Sequence, residues 1–164
     1  MSGELTHKDS MGHIETIHPN EAQVMSAGTG VLHSEWNGST VQTVHLLQIW
    51  IEPKEFHRPP TYAQKVFAKE SRQGRWQTLA SPDGRDGSLT IGQDATISLR
   101  DLQDGEDVHI TLDPQRNYWV QNISAQATIN GLEILPGDGL AISSETSLQL
   151  KASSPGDIML FDLA

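Results

Sequence analysis

MSAGTGVLHSE, residues 25–35, sets a Gly-x-Gly turn immediately before a short strand that ends His33-Ser34-Glu35. Side chains alternate along a strand, so His33 and Glu35 fall on one face and Ser34 on the other. An imidazole and a carboxylate side by side are two of the donor types that a first-row metal accepts. Two donors do not make a site, and His-x-Glu taken alone is more often a polar pair on a solvated strand face. The rest of the chain has to supply what is missing.

Outward from this stretch the chain is cut into short extended pieces. Upstream, residues 3–8 and 13–18 flank a turn-like Asp9-Ser10-Met11-Gly12. Pro19-Asn20-Glu21 breaks the second piece, and 23–26 is a further strand. Downstream, Trp36-Asn37-Gly38-Ser39 reads as a hairpin loop with a strong Asn-Gly signal. Residues 41–52 (VQTVHLLQIWIE) form the longest apolar run, and their β-branched and aromatic content predicts a central strand. Residues 53–60 (PKEFHRPP), with three prolines, are the best linker. Residues 62–69 read as extended and 81–87 as a loop. Short strands are then expected at 88–91, 95–101, 108–112, 117–123, 127–129, 139–142, 148–152 and 158–163. Fourteen glycines and eight prolines suit this punctuation. Many short strands at close spacing mean an all-β sandwich or barrel.

A faint repeat links IHPNEAQVMSAGTG in the first third to LPGDGLAISSETS, residues 135–147, in the last. Both run through a Pro-led turn with an acidic residue into a short apolar strand and a polar turn. The second copy has no histidine near it, so only the first half is expected to hold a His-liganded metal.

Composition narrows the function classes. A chain of 164 residues makes one ordinary domain or two small ones, with a core that needs no staples. The absence of cysteine removes disulfides, thiolate metal sites and Cys nucleophiles, and suits a cytoplasmic protein. A formal charge of −10 with no basic patch makes nucleic acid a poor partner. The N-terminus lacks the apolar core of a signal peptide, and no apolar run approaches membrane-spanning length, so no membrane association is expected.

GELTHKDSMGHIETIHPNEAQVMSAGTGVLHSEWN, residues 3–37, resembles the pirin family of bicupins, including bacterial members described as quercetin dioxygenase-like. The likeness lies in Gly3, His7-x-Asp9, Gly12, the Pro19 turn, Gln23-x-Met25, Ala27-Gly28-x-Gly30 and His33-x-Glu35. It continues through Leu47-Gln48-Ile49-Trp50-Ile51, Ser81-Pro82, Arg85-Asp86-Gly87-Ser88-Leu89 and Leu160-Phe161-Asp162-Leu163. The resemblance implies jelly-roll cupin barrels. The first would carry one mononuclear metal, usually iron, held by three His and one Glu, and the second would be degenerate. Open positions on such a metal are where dioxygen and a chelating substrate meet. In the dioxygenase members that substrate is a flavonol. The animal member is associated with transcription-factor partners, so a binding or regulatory module acting through protein partners is the alternative.

One departure qualifies the resemblance. The family's first two ligands lie on a His-Pro-His segment upstream of the strand that starts at Gly3, and this chain has no His-x-His. Carried over residue by residue, only His33 and Glu35 remain as metal ligands. The expectation is an incomplete N-terminal cupin unit over residues 1–55 and a degenerate C-terminal cupin barrel over 56–164, with the boundary in 53–60. Iron or another divalent metal would be weakly bound or absent in the isolated chain. A quercetin 2,3-dioxygenase-like oxidoreductase is expected only if the site is completed. The chain would self-associate or take a partner chain that supplies the missing strands. The other histidines are not expected to fill the gap. His45 reads as a buried histidine bonded to a backbone carbonyl. His7 and His13 flank a hairpin, His18 and His57 are exposed, and His109 belongs to the second half. Trp36 and Trp50 read as core.

Overall fold

Fifteen strands and two short 3₁₀ turns make up the computed structural model, which describes residues 1–164. The first five strands are β1 (Leu5–Asp9), β2 (Ile14–Ile17), β3 (Glu21–Ser26), β4 (His33–Asn37) and β5 (Thr61–Val66). Five more follow as β6 (Gln77–Ser81), β7 (Leu89–Thr90), β8 (Ala95–Leu102), β9 (Asp107–Thr111) and β10 (Asn117–Asn122). The last are β11 (Gln126–Ile129), β12 (Leu132–Ile134), β13 (Gly139–Ser143), β14 (Ser147–Ser154) and β15 (Gly156–Leu163). The chain is all-β, as expected, and no helix is long and apolar enough to cross a membrane.

The second half is a two-sheet jelly roll. One sheet has six strands in the order β13-β10-β15-β8-β6-β7, and the other has four in the order β12-β11-β14-β9. Alternation along each strand decides which side chains fill the space between them. Ile158 and Leu160 of β15, Leu148 and Leu150 of β14 and Ile129 of β11 meet in one apolar core. Each such side chain, taken from water, contributes roughly 1.5–3 kcal/mol. The intervening residues of β15, Met159 and Phe161, point the other way. They join Ile97, Leu99 and Phe67 in a second cluster that Ala22, Val24, Leu47 and Ile51 cover from the first half. The six-stranded sheet is therefore buried on both faces, which is why the middle of β15, residues 158–161, reads as an unbroken apolar run.

The first half contributes a three-stranded sheet, β2-β1-β4, and a two-stranded one, β3-β5. These two small sheets do not close into a barrel, in keeping with the expected incomplete first unit. β5 lies beyond Pro60 in sequence, yet it pairs with β3 from Glu21↔Val66 to Ser26↔Thr61. The hydrogen-bonded frame of the first half thus extends past the proline-rich segment.

The Pro-led turns of the faint repeat are the same turn. In the first, Glu21 N donates to His18 O and the Glu21 carboxylate accepts from His18 N at 2.7 Å. In the second, Asp138 N donates to Leu135 O and the Asp138 carboxylate accepts from Leu135 N at 2.8 Å. Asn20 and Gly137 take the positive φ that the third position of such a turn requires.

Three sequence expectations are corrected. Residues 41–52 are not a central strand: only His45 is paired, with Ser2, and the rest of the run enters no ladder. Leu47 and Ile51 reach the core, but Trp50 is 86% exposed and Val41 89%. A strand requires a neighbour for its backbone groups, and composition cannot report whether one lies alongside. His45, in the same run, is exposed, and Trp36, although paired opposite Thr6, is exposed as well, so neither belongs to the core. Finally, β4 runs through Trp36 and Asn37, so the Asn-Gly pair caps a strand end and does not close a hairpin. The Asn37 side chain accepts from Ser39 N and donates to Gln42 O there, taking the place of a partner strand.

Candidate functional site

β1 and β4 are antiparallel, and their register sets His7 opposite Glu35 and Asp9 opposite His33. Alternation puts these four side chains on one face of the three-stranded sheet. Local chemistry fixes both strands. The Asp9 carboxylate accepts from Met11 N at 2.9 Å and His13 N at 3.0 Å, which shapes the turn after β1. Ser10 N donates to Leu32 O, and Leu32 N donates to Ser10 Oγ, tying the entry of β4 to that turn.

The glycine turn before β4 is an anchor. Gly28 has φ +52°, and a Cβ there would lie 2.1 Å from Arg58 O. Thr29 N donates to the same carbonyl at 3.0 Å. The turn needs glycine both for its left-handed backbone and for this close approach to 58–60.

His7 is wholly buried. Its ring packs against Tyr62, with centroids 4.9 Å apart, and against His33 at 5.8 Å. Nε2 lies 3.2 Å from Asp9 Oδ2. Nδ1 has no hydrogen-bond partner and lies 3.6 Å from Glu35 Oε1. Glu35 is held from another direction by Gln23, whose Nε2 donates at 2.6 Å. Burial pushes the Asp9 carboxyl upward, but bonds from the His13 side chain and backbone, from His7 and from Met11 outweigh it and hold it below the ordinary carboxylate range. Tyr62 is pushed up to about 12 by burial and by Glu15, Asp9, Glu35 and Glu21. Beside it opens a cleft of ≈ 430 Å³ lined by His13, Glu15, Glu21, Tyr62, Gln64 and Lys65 among others.

Of the sequence-predicted ligands, Glu35 is half-buried in this cluster and His33 is exposed at its rim. No three His, Asp or Glu side chains converge closely enough to hold a metal ion as they stand. The residues present do not fit the four-donor centre of three His and one Glu. His18, His45, His57 and His109 are exposed and lie outside the cluster; His109 pairs with Asp107 at 3.2 Å. Sequence reasoning missed Gln23, Tyr62 and the burial of His7. The one available signal was the His7-x-Asp9 alternation, which mirrors His33-x-Glu35.

Known proteins resemble this chain over nearly its whole length. The family model described as Pirin matches residues 1–51, and that described as Quercetinase C-terminal cupin domain matches residues 78–163. The protein named quercetin 2,3-dioxygenase of Escherichia coli (strain K12) is 42% identical over 164 residues, covering 99% of this chain and 69% of its own length. A pirin-like protein of Caulobacter vibrioides is 33% identical over 163 residues, covering 99% and 70%. Among solved structures, YhhW from Escherichia coli superposes with a TM-score of 0.95 at 39% identity, over 100% of this chain and 69% of that one. The bacterial pirin YhhW in complex with nickel(II) gives 0.92 at 40% identity, over 99% and 69%. The chain belongs to the pirin family of cupins.

Proposed function

We propose that this pirin-family chain is a divalent-metal cupin of the quercetin 2,3-dioxygenase type, with His33 and Glu35 among the metal's ligands. The observation that carries the reading is the shared face of β1 and β4. It sets His33 beside Glu35, and Gln23 clamps the Glu35 carboxylate at 2.6 Å. A ligating carboxylate held by a hydrogen-bond donor is the usual support of such a centre. The relatives' names supply the reaction class, and the nickel(II) complex of YhhW supports a divalent ion in general. In this reading the ion is iron and the substrate a flavonol-like small molecule. Donors beyond His33 and Glu35 complete the site, and the protein works in the cytoplasm.

A second reading, a non-enzymatic binding or regulatory module acting through protein partners, is favoured by the failure of three donors to converge. Metal analysis of the purified protein separates the two. Near-stoichiometric divalent metal with oxygen-dependent flavonol loss supports the enzyme, and a metal-free, inactive protein sinks it. Metal retained by wild type is expected to be lost in His33→Ala and kept in His109→Ala.

The unpaired run at 46–51 is assigned to association. It would pair with a second copy or with a polypeptide that supplies strands.

A further inference from the structure

Each open sheet ends in a strand whose outer backbone groups have no partner, and proteins blunt such edges with a charge, a proline, a bulge or extreme shortness. Most edges of this chain follow that rule. β2 carries Glu15, β4 Glu35, β9 Asp107 and β12 Glu133. β3 and β5 carry Glu21 and Lys65, and β7 is two residues long. β13 is the exception. It is a five-residue edge strand with no charge, no proline and an unbroken register against β10.

Hydrogen bonds on either side of β10 fix which groups of β13 are free. Asn122 N donates to Asp138 O and Ile123 N to Asp157 O, so the even-numbered residues of β10 bond toward β13 and the odd-numbered ones toward β15. Tyr118 and Val120 therefore engage Ile142 and Leu140, and the N–H and C=O of Gly139, Ala141 and Ser143 point away from the sheet. All three residues are small and exposed, so no bulky side chain of their own screens these groups. Trp119 adds an apolar shelf beside them. Its ring lies across Gly139, where a Cβ would collide with it, and its Nε1 donates to Gln121 Oε1 at 3.3 Å. The indole thus reaches from β10 over the edge strand, 38% exposed and already ordered.

Charge selects the occupant. Residues 139–144 are uncharged, and the exposed Asp138 and Glu145 bracket them. A second copy pairing antiparallel through its own β13 would bring Asp138 of one chain beside Glu145 of the other at both ends. That like-charge contact opposes self-pairing. A strand with a neutral, β-branched centre and a basic residue at each end meets the same edge with opposite charges, whichever way it runs.

We propose that the β13 edge is a docking site for an extended segment of a partner protein, which joins the six-stranded sheet as a further strand through Gly139, Ala141 and Ser143 and sets basic residues against Asp138 and Glu145. The site lies in the second half, apart from His33 and Glu35, so its test leaves the metal reading untouched.

The peptide Lys-Val-Thr-Val-Thr-Val-Lys with blocked termini, added to the full chain, tests this. In ¹H–¹⁵N spectra it is expected to shift the amides of Gly139, Ala141 and Ser143 and to slow their exchange with solvent. The same peptide with Glu at both ends is expected to bind about tenfold more weakly, and added salt to narrow the difference. Equal binding of the two peptides overturns the choice of partner, and the absence of shifts at these three amides overturns the site. Shifts there on raising the protein concentration alone would give the edge to a second copy and overturn the partner proposed. Ala141→Pro removes an outward N–H that the fold does not use, so the chain should fold and lose peptide binding. Ser143→Lys, which puts a repelling charge on the edge, is expected to do the same. Peptide binding at wild-type strength in either folded variant overturns the proposal.

Discussion

Glu106 shows how a single side chain closes a turn in this molecule. It sits between β8 and β9, accepts from Arg100 through Nε at 3.1 Å and through Nη2, and accepts from Gln103 N at 2.8 Å. Burial raises its carboxyl, but the bonds from Arg100 and Gln103 win, and its proton affinity falls below that of an ordinary glutamate. A carboxyl lowered in the folded state stabilises it fully above the unfolded value of about 4.3 and loses that contribution as pH falls through the folded value. Glu106→Gln is therefore expected to melt below wild type at pH 7, with the gap closing toward pH 3. A gap unchanged across that range removes the charge from the explanation. At the same scale, the pairing of His33 with Glu35 on one face was legible, because alternation is local. The burial of His7 was not. It depends on Tyr62, far along the chain, and on β4 folding back over β1, and nothing next to His7 in sequence reports either.

Elements made by local chemistry were legible, and those that need a partner were not. The Pro-led turns could be read because their proline, positive-φ residue and acidic cap lie within four positions of each other. Most strands of the second half fell within a residue or two of their expected bounds, since glycine and proline mark their ends. β6 and β12 were passed over; they are short and weakly patterned. The run at 41–52 went the other way, with strong β-propensity and no ladder. The glycine turn before β4 offers a test at this scale. Gly28→Ala pays for a left-handed backbone, at least about 1–2 kcal/mol, and its methyl would collide with the Arg58 carbonyl. Urea denaturation is expected to show that loss, while Gly92→Ala, with open space around it, stays near wild type. Equal stability of the two variants would mean that the contact with 58–60 does not hold β4 in place.

The whole molecule is uneven in how it meets water. Its second half buries both faces of the six-stranded sheet, whereas the first leaves Trp50, Val41 and Ile49 exposed along one unpaired run. Contiguous apolar surface beside unpaired backbone is a template for association. The net charge of −10 opposes self-association in general, but residues 36–51 contain no Asp, Glu, Lys or Arg, so repulsion is least there. Light scattering at micromolar concentration is expected to give a mass above one chain, returning to one chain in Trp50→Lys. A wild-type monomer that also fails to bind a hydrophobic dye would leave the run without this role. The division of the chain was legible only in part. Prolines marked 53–60 as a connection, but sequence has no sign that β5, beyond it, returns to β3.

The position of β15 bears on how the protein is made. It lies between β8 and β10, pairs with both, and follows both in the chain. Until it is translated, the six-stranded sheet is two separate pieces with a gap where their backbones should meet. At roughly 5–20 residues per second, the interval from Ala95 to Gly156 is on the order of 3–12 s, during which apolar strands have no closed sheet to join. Over that interval the unpaired strand edges are open to association with other chains. A ribosome that stalls just short of Gly156 would hold nearly all of the sequence and almost none of the six-stranded sheet's closure.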